Sequence, residues 1–140
     1  MAKRLGASNE SLRPNAMILG YPVITSGEYA HRDSFKCLLG EEYEEKQESL
    51  SLENCVNENT PRSFIWHTFE DGAVPVQNSI LLADALVKHH IPTELHIFEK
   101  GGHGLALANR LTQSSGASTI QPAATQWIEM AHKWMEGWIL

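Results

Sequence analysis

Two loops of the chain carry one acidic and one basic side chain that could work together. Residues 67–76 read HTFEDGAVPV and contain Asp71, and residues 101–104 read GGHG and contain His103. A carboxylate that accepts a hydrogen bond from imidazole Nδ1–H fixes the tautomer of the ring and stabilises the imidazolium, so that Nε2 can act as a general base. Either residue alone is commonly structural, because Asp before Gly favours turns and a loop histidine is usually just exposed. Together they are more informative, because an aspartate that orients an imidazole in this way allows the ring to work as a base.

Both loops follow short apolar runs that predict β-strands. The predicted strands are AMILG at 16–20, SFIWH at 63–67 and TELHIF at 93–98, and helical spacing of apolar residues predicts helices at 78–90 and 125–140. This alternation predicts an α/β fold in which parallel strands are joined by right-handed crossover helices. In such sheets ligands bind at the carboxyl ends of the strands, which is where both loops lie.

Each predicted helix has one apolar face. In the first helix this face consists of Ile80, Leu82, Ala83, Leu86 and Val87. In the last helix it consists of Trp127, Met130, Ala131, Trp134 and Trp138. We expect both faces to pack in the core, which for the tryptophans is a simpler interpretation than a platform for stacking sugars.

Residues 27–60 differ from the rest of the chain. They are polar and rich in Glu between 41 and 53, which predicts short exposed helices and loops with a solvated acidic face rather than a cation site. Only three strands are evident, whereas buried parallel sheets are usually larger. The strand at 16–20 would then keep one unpaired edge, so we expect another chain or segment to cover it.

The composition is that of an ordinary globular domain. With 42% hydrophobic and 20% charged residues, the 140 residues can form one core, and we treat 1–140 as a single domain. A formal charge of −6 with no basic stripe argues against a nucleic-acid partner. Lys3 and Arg4 are not followed by the apolar stretch of a signal peptide, and no run has the length of a membrane span, so we expect a cytoplasmic protein.

The remaining potential ligands do not form a metal motif. His89, His90 and His96 lack the spacing of a zinc site, and the first two fit a solvent-facing helix end. Cys37 and Cys55 are too few for a disulfide framework and form no CxxC pair, so we expect reduced thiols.

Three segments together resemble a known enzyme group. HTFEDGAVPV, NSILLADAL and ELHIFEKGGHGLALA are similar to the closing third of α/β-hydrolases of the acetyl-xylan-esterase-like and prolyl-oligopeptidase-related kind. In that group a His-x-x-x-Asp-x-x-Val-Pro motif supplies the triad acid and a Gly-His-Gly loop supplies the base. The resemblance therefore implies that Asp71 is the acid and His103 the base, and the motif position favours Asp71 over its neighbour Glu70.

The resemblance extends over nearly the whole chain. AMILGYPVI resembles the sixth strand of the α/β-hydrolase fold, and residues 27–60 resemble the cap-like insert of that group. The match begins near Arg13 and is loose only between residues 109 and 122. It implies that the chain is the C-terminal part of an α/β-hydrolase domain, with a partial α/β-hydrolase fold.

The nucleophile of that group is not evident in the chain. Its serine lies in a Gly-x-Ser-x-Gly elbow between a strand and a helix. The nearest segments, GASNE around Ser8 and GASTI around Ser118, lack the second glycine and that context. We therefore expect the serine half to reside elsewhere, on a complementary N-terminal segment or a separate chain.

These observations leave two functions open. The first is a carboxylic-ester hydrolase that removes acetyl or other short acyl groups, with a carbohydrate ester as the expected substrate and no metal or organic cofactor. This chain would supply the acid and the base, would associate with itself or with the complementary half, and would show no turnover alone. The second is a catalytically inactive hydrolase fragment that acts as a binding or assembly module.

Overall fold

The computed structural model describes residues 13–113 and 120–139. Its three strands are β1 (Ala16–Gly20), β2 (Arg62–Thr68) and β3 (Thr93–Phe98). Its α-helices are α1 (Arg32–Leu39), α2 (Tyr43–Lys46), α3 (Gln77–Lys88) and α4 (Trp127–Ile139). Short 3-10 helices cover Gly40–Glu42, Gln47–Leu50, Leu52–Cys55 and Ala124–Gln126. The predicted alternation of strands and helices is confirmed, with β1 and β3 at the predicted bounds.

The strands form one parallel sheet in the order β1-β2-β3. β2 is central, and its residues from Ser63 onward are buried, which explains an apolar run without alternation. β1 pairs with β2 through contacts such as Leu19 with Ile65. Within the described part of the chain no strand pairs with the other edge of β1, and Ile18 is 41% exposed. β1 is therefore less covered than its apolar sequence suggests.

Two clusters of buried side chains lie on opposite faces of the sheet. The first contains Ile24, Val56, Ile65, Leu82, Ala83 and Leu86 and is covered by α3. The second contains Phe64, Trp66, Leu105, Ala108, Ala124 and Ala131 and is covered by α4. Neighbouring residues of β2 contribute to different clusters because successive side chains of a strand point to opposite faces.

The buried face of α3 differs from the predicted one. Leu82, Ala83 and Leu86 are buried as expected, but Ile80 is 43% and Val87 63% exposed. The polar residues at positions 78 and 79 are buried instead. Asn78 hydrogen-bonds to the surrounding loops and Ser79 to His67 of β2, so the helix turns this polar edge inward and leaves Ile80 and Val87 on its outer side.

Asn78 is the polar centre of this packing. Its Oδ1 accepts hydrogen bonds from the backbone N–H groups of Ile24 at 2.9 Å and Thr25 at 3.0 Å. Its Nδ2 donates to the carbonyls of Tyr29 at 2.9 Å and Pro75 at 3.0 Å. A single buried side chain thereby joins α3 to the segment that follows β1.

The α4 helix packs as its spacing predicts. Trp127, Met130 and Trp134 pack against the second cluster, and Trp127 stacks on Trp66 with 5.2 Å between the ring centroids. Trp138 lies farther along the helix, with the Arg62 guanidinium 4.9 Å from its ring. The tryptophan face is therefore mainly a packing face.

The segment between β1 and β2 is helical and polar, as predicted. Phe35 and Tyr43 are buried and attach α1 and α2 to the body, whereas the acidic side chains from Glu41 to Glu48 are exposed. Cys37 and Cys55 are free thiols. None of the helices in residues 13–113 and 120–139 is long and apolar enough to cross a membrane.

Candidate active site

Asp71 and His103 meet beyond the carboxyl ends of the two adjacent strands β2 and β3. Asp71 lies three residues after Thr68, the last residue of β2, and His103 lies five residues after Phe98, the last residue of β3. His103 Nδ1 is 2.8 Å from Asp71 Oδ2. Because the carboxyl ends of parallel strands share one edge of the sheet, two loops distant in sequence deliver the acid and the imidazole to the same place.

The Asp71 carboxylate is fully buried and accepts four N–H groups. Oδ1 accepts the backbone N–H groups of Ala73 at 3.0 Å and Val74 at 2.8 Å. This is the turn geometry that aspartate before glycine favours. Oδ2 accepts from His67 Nε2 at 3.2 Å and from His103 Nδ1. The buried charge is therefore compensated, and its orientation is set before any substrate arrives.

The His103 ring is placed so that Nδ1 can donate to Asp71 while Nε2 faces away from the carboxylate. A hydrogen bond from Nδ1–H to a carboxylate leaves Nε2 with its lone pair. The side chain is 37% exposed, and Nε2 has no hydrogen-bond partner in the described ranges. The Tyr21 ring packs against the imidazole in an edge contact, with the centroids 4.9 Å apart and the planes at 70°.

The loop that carries His103 has an unusual backbone. Gly101 and Gly104 have positive φ values of 123° and 77°, and Ala106 and Ala108 have values of 50° and 54°. Glycine adopts this region without strain, but alanine does not. At Gly101 a Cβ would also lie 2.7 Å from Leu105 Cδ1. The loop is a tight turn that the surrounding contacts hold in place.

Glu70, the rival acid, has a different role in the structure. Its Oε1 accepts a hydrogen bond from Lys100 Nζ at 2.7 Å, and its Oε2 accepts from the Gly101 backbone N–H at 3.2 Å. The hydrogen bond from Lys100 lowers the pKa of Glu70 and keeps it ionised. Glu70 thus stabilises the start of the His103 loop by hydrogen bonds, whereas Asp71 contacts His103 itself.

His67 is a member of the site that sequence reasoning did not single out. Its side chain is fully buried, with Nε2 2.9 Å from the Val74 carbonyl and Nδ1 2.7 Å from Ser79 Oγ. Since Nε2 faces two acceptors, Val74 O and Asp71 Oδ2, it carries the proton, and Nδ1 accepts from the Ser79 hydroxyl. Burial lowers the pKa of His67, which favours this neutral form. The only sequence signal was its place four residues before Asp71 in the same motif.

The other candidate residues lie apart from this site. His96 Nε2 contacts Glu94 Oε1 at 2.7 Å, and His89 and His90 lie at the end of α3. Among the described residues no group of three His, Cys, Asp or Glu side chains could hold a metal ion. Ser8 and Ser118 lie outside the described residues.

A family model of the prolyl oligopeptidase family matches residues 14–119, which include both loops of the site. The chain belongs to the prolyl oligopeptidase family. Membership rests on more than the two motifs, since the match covers the sheet, the polar segment and α3 as well.

Three proteins illustrate where this member of the prolyl oligopeptidase family stands. It is 50% identical over 98 residues to endo-1,4-beta-xylanase B of Butyrivibrio fibrisolvens, covering 69% of this chain and 15% of that protein. It is 42% identical to the acetyl ester-xyloside bifunctional hydrolase from Caldicellulosiruptor lactoaceticus, with a TM-score of 0.78 over 90% of this chain and 43% of the other. It is 35% identical to a sugar hydrolase from Lactococcus lactis, with a TM-score of 0.80 over 99% and 54%.

These likenesses also identify the fold. The three parallel strands with helices on both faces are part of an α/β-hydrolase fold, as the sequence resemblance implied. The chain spans about half the length of the two solved hydrolases and a smaller part of the xylanase.

Proposed function

We propose that this chain supplies the acid and the base of a carboxylic-ester hydrolase whose serine nucleophile lies outside these 140 residues. The observation that carries the proposal is the hydrogen bond of 2.8 Å between His103 Nδ1 and Asp71 Oδ2. The same Asp71 is buried and accepts three further N–H groups. An imidazole held in this tautomer is suited to accept a proton at Nε2.

In the proposed reaction the serine hydroxyl attacks the ester carbonyl while His103 Nε2 takes its proton. His103 then gives this proton to the leaving alcohol, and an acyl-enzyme remains. In the second half, His103 Nε2 takes a proton from a water molecule that attacks the acyl carbonyl, and it gives this proton to the serine oxygen as the carboxylic acid leaves. Asp71 stabilises the imidazolium, and its four donors fix the orientation in which it does so.

The proposed substrate is an acetyl or other short-acyl ester of a carbohydrate. Two observations support it: the 42% identity to an acetyl ester-xyloside bifunctional hydrolase and the 50% identity to a xylanase. The polar segment at 27–60 would serve as a cap beside the site in this assembly. No residue of the described site needs a metal or cofactor for this chemistry.

The proposed partner is a complementary segment that carries the serine. Support comes from the edge of β1, which no strand of the described chain pairs, and from Ile18, which is 41% exposed. An unpaired apolar edge favours the addition of another strand. A strand added there would lie beside β1, on the same sheet as the loops of Asp71 and His103.

A chimera tests the proposal directly. The N-terminal part of the Caldicellulosiruptor lactoaceticus enzyme, up to the residue that aligns with Arg13, would be fused to this chain and assayed with p-nitrophenyl acetate. We expect turnover that falls by about 10³-fold or more in His103→Ala and Asp71→Asn. The matched control is Asp84→Asn, which removes a carboxylate of the exposed pair with Lys88 on α3 and should keep the activity.

Two results would contradict the proposal. One is a chimera that folds cooperatively and hydrolyses the ester equally well with and without His103. The other is turnover by the 140-residue chain alone that His103→Ala abolishes, because this would place a nucleophile within it. A folded chimera without any turnover would favour the second function, an inactive assembly module.

A further inference from the structure

We infer that Tyr21 is a positioning residue for His103: it fixes the plane of the imidazole and anchors the loop that carries it. This inference rests on the proposed function for its catalytic meaning, but its structural content stands on contacts within this chain. Tyr21 follows directly after β1, 82 positions before His103 in the sequence. No motif marked it as part of the site.

The first argument concerns the ring. The hydrogen bond to Asp71 fixes one atom of the imidazole but leaves the ring free to pivot about that bond. The Tyr21 ring contacts the imidazole at 4.9 Å and 70°. On another side Tyr21 packs edge-on against the buried Trp66, with the centroids 5.0 Å apart and the planes at 84°. Tyr21 is thus held by the core and blocks this pivoting.

The second argument concerns the loop. The Tyr21 hydroxyl accepts a hydrogen bond of 3.3 Å from the Ala106 backbone N–H, three residues after His103. The carbonyl of the same Ala106 accepts 2.8 Å from Trp127 Nε1. Ala106 has a φ of +50°, a conformation that alanine rarely adopts. Two aromatic side chains therefore hold a strained residue from both sides, and one of them is Tyr21.

The third argument concerns the backbone of Tyr21 itself. Its φ is +39°, although glycine would adopt this conformation with less strain. Its N–H donates to the Trp66 carbonyl at 2.8 Å, which extends the ladder between β1 and β2 by one residue. Backbone strain at a bulky residue that contacts a site is a sign that the side chain is needed there.

The experiment uses this chain alone and measures the His103 Nδ1–H proton by NMR. A proton hydrogen-bonded to a carboxylate resonates far downfield, so its exchange rate with water reports how well the imidazole is held. Tyr21→Leu removes the ring and the hydroxyl. We expect exchange to accelerate about three- to tenfold, which corresponds to the free energy that one aromatic pair contact contributes. Tyr21→Phe keeps the ring but loses the hydrogen bond to the Ala106 N–H, so its exchange rate should lie between those of the wild type and Tyr21→Leu.

Two further variants make the test decisive. Tyr21→Gly removes the side chain while relieving the backbone strain, so it remains informative if Tyr21→Leu fails to fold. Tyr43→Leu is the matched control: it truncates another buried tyrosine, in α2, and should lower stability without changing His103 exchange. The inference is overturned if a folded Tyr21→Leu or Tyr21→Gly protein exchanges at the wild-type rate, or if Tyr43→Leu accelerates exchange equally.

A kinetic measurement then separates this inference from the proposed function. In the esterase chimera, Tyr21→Leu should lower kcat and leave KM nearly unchanged, because Tyr21 acts through His103. If the chimera has no esterase activity but the Tyr21 variants of this chain show the expected change in His103 exchange, the result counts against the proposed function and the positioning role stands. If Tyr21→Leu keeps the wild-type kcat, the contact between Tyr21 and His103 has no role in catalysis.

Discussion

Replacing Asp71 by alanine should be costly for stability as well as for the site. The substitution removes the acceptor of four N–H groups at once. Two of these donors keep an alternative: His67 Nε2 still reaches the Val74 carbonyl, and the half-exposed His103 can turn to water. The other two are backbone N–H groups, of Ala73 and Val74, which no other acceptor replaces.

The magnitude follows from these two orphaned donors. A buried donor without a partner costs about 1–3 kcal/mol, and the N–H of Val74 is fully buried, whereas that of Ala73 is partly buried. The free energy of unfolding should therefore fall by about 2–4 kcal/mol in Asp71→Ala. Asp84→Ala is the control, since Asp84 forms an exposed pair with Lys88 that contributes about 0–1 kcal/mol.

Asp71→Asn separates stability from chemistry. The amide oxygen can still accept both backbone N–H groups, so we expect a smaller loss of about 1–2 kcal/mol. Its NH₂ group, however, would face the N–H of His103, and the imidazole must change tautomer to accept from it. Nε2 then carries the proton and cannot act as a base.

Urea unfolding followed by circular dichroism measures the three stabilities, and ¹⁵N chemical shifts of the imidazole measure the tautomer. The reasoning fails if Asp71→Ala is no less stable than Asp84→Ala, because the four hydrogen bonds would then contribute nothing to the fold. It also fails if His103 keeps its proton on Nδ1 in Asp71→Asn.

Three further predictions concern the surroundings of the site. Burial lowers the pKa of His67 below 6.5, so its contribution to the free energy of unfolding should persist above that pH. Below that pH the contribution should decline by at most ~1.4 kcal/mol per pH unit. Urea unfolding at several pH values measures this decline, and His67→Gln should flatten it. Gly101→Ala combines a φ of +123° with a clash against Leu105, so it should lower stability by about 1–3 kcal/mol, whereas Gly102→Ala, whose Cβ meets open space, should be nearly neutral. Asn78→Leu leaves two N–H groups and two carbonyls without this partner and should cost about 3 kcal/mol or more in thermal or urea unfolding, unlike a substitution at an exposed asparagine.

Much of the architecture could be predicted because it depends on local patterns. The segments at 16–20 and 93–98 became strands at the predicted bounds, since each contains β-prone residues and lies between proline or glycine breakers. The face of α3 was predicted less well. The periodicity of apolar residues includes Ile80 and Val87 in the buried face, although both are exposed. It does not show that the Asn78 side chain has four backbone partners, and these hydrogen bonds determine which face of the helix is buried.

The candidate site, too, was predicted from the sequence only in part. The sequence alone determined that an aspartate and a histidine lie in the loops after two successive predicted strands, because residue identity and the succession of strands along the chain are local properties. Only the tertiary structure decided that His67 shares the Asp71 carboxylate and that Tyr21 packs against His103. Tyr21 and His103 are 82 positions apart, and their distance depends on how β1 and the His103 loop pack together, which no spacing along the chain encodes.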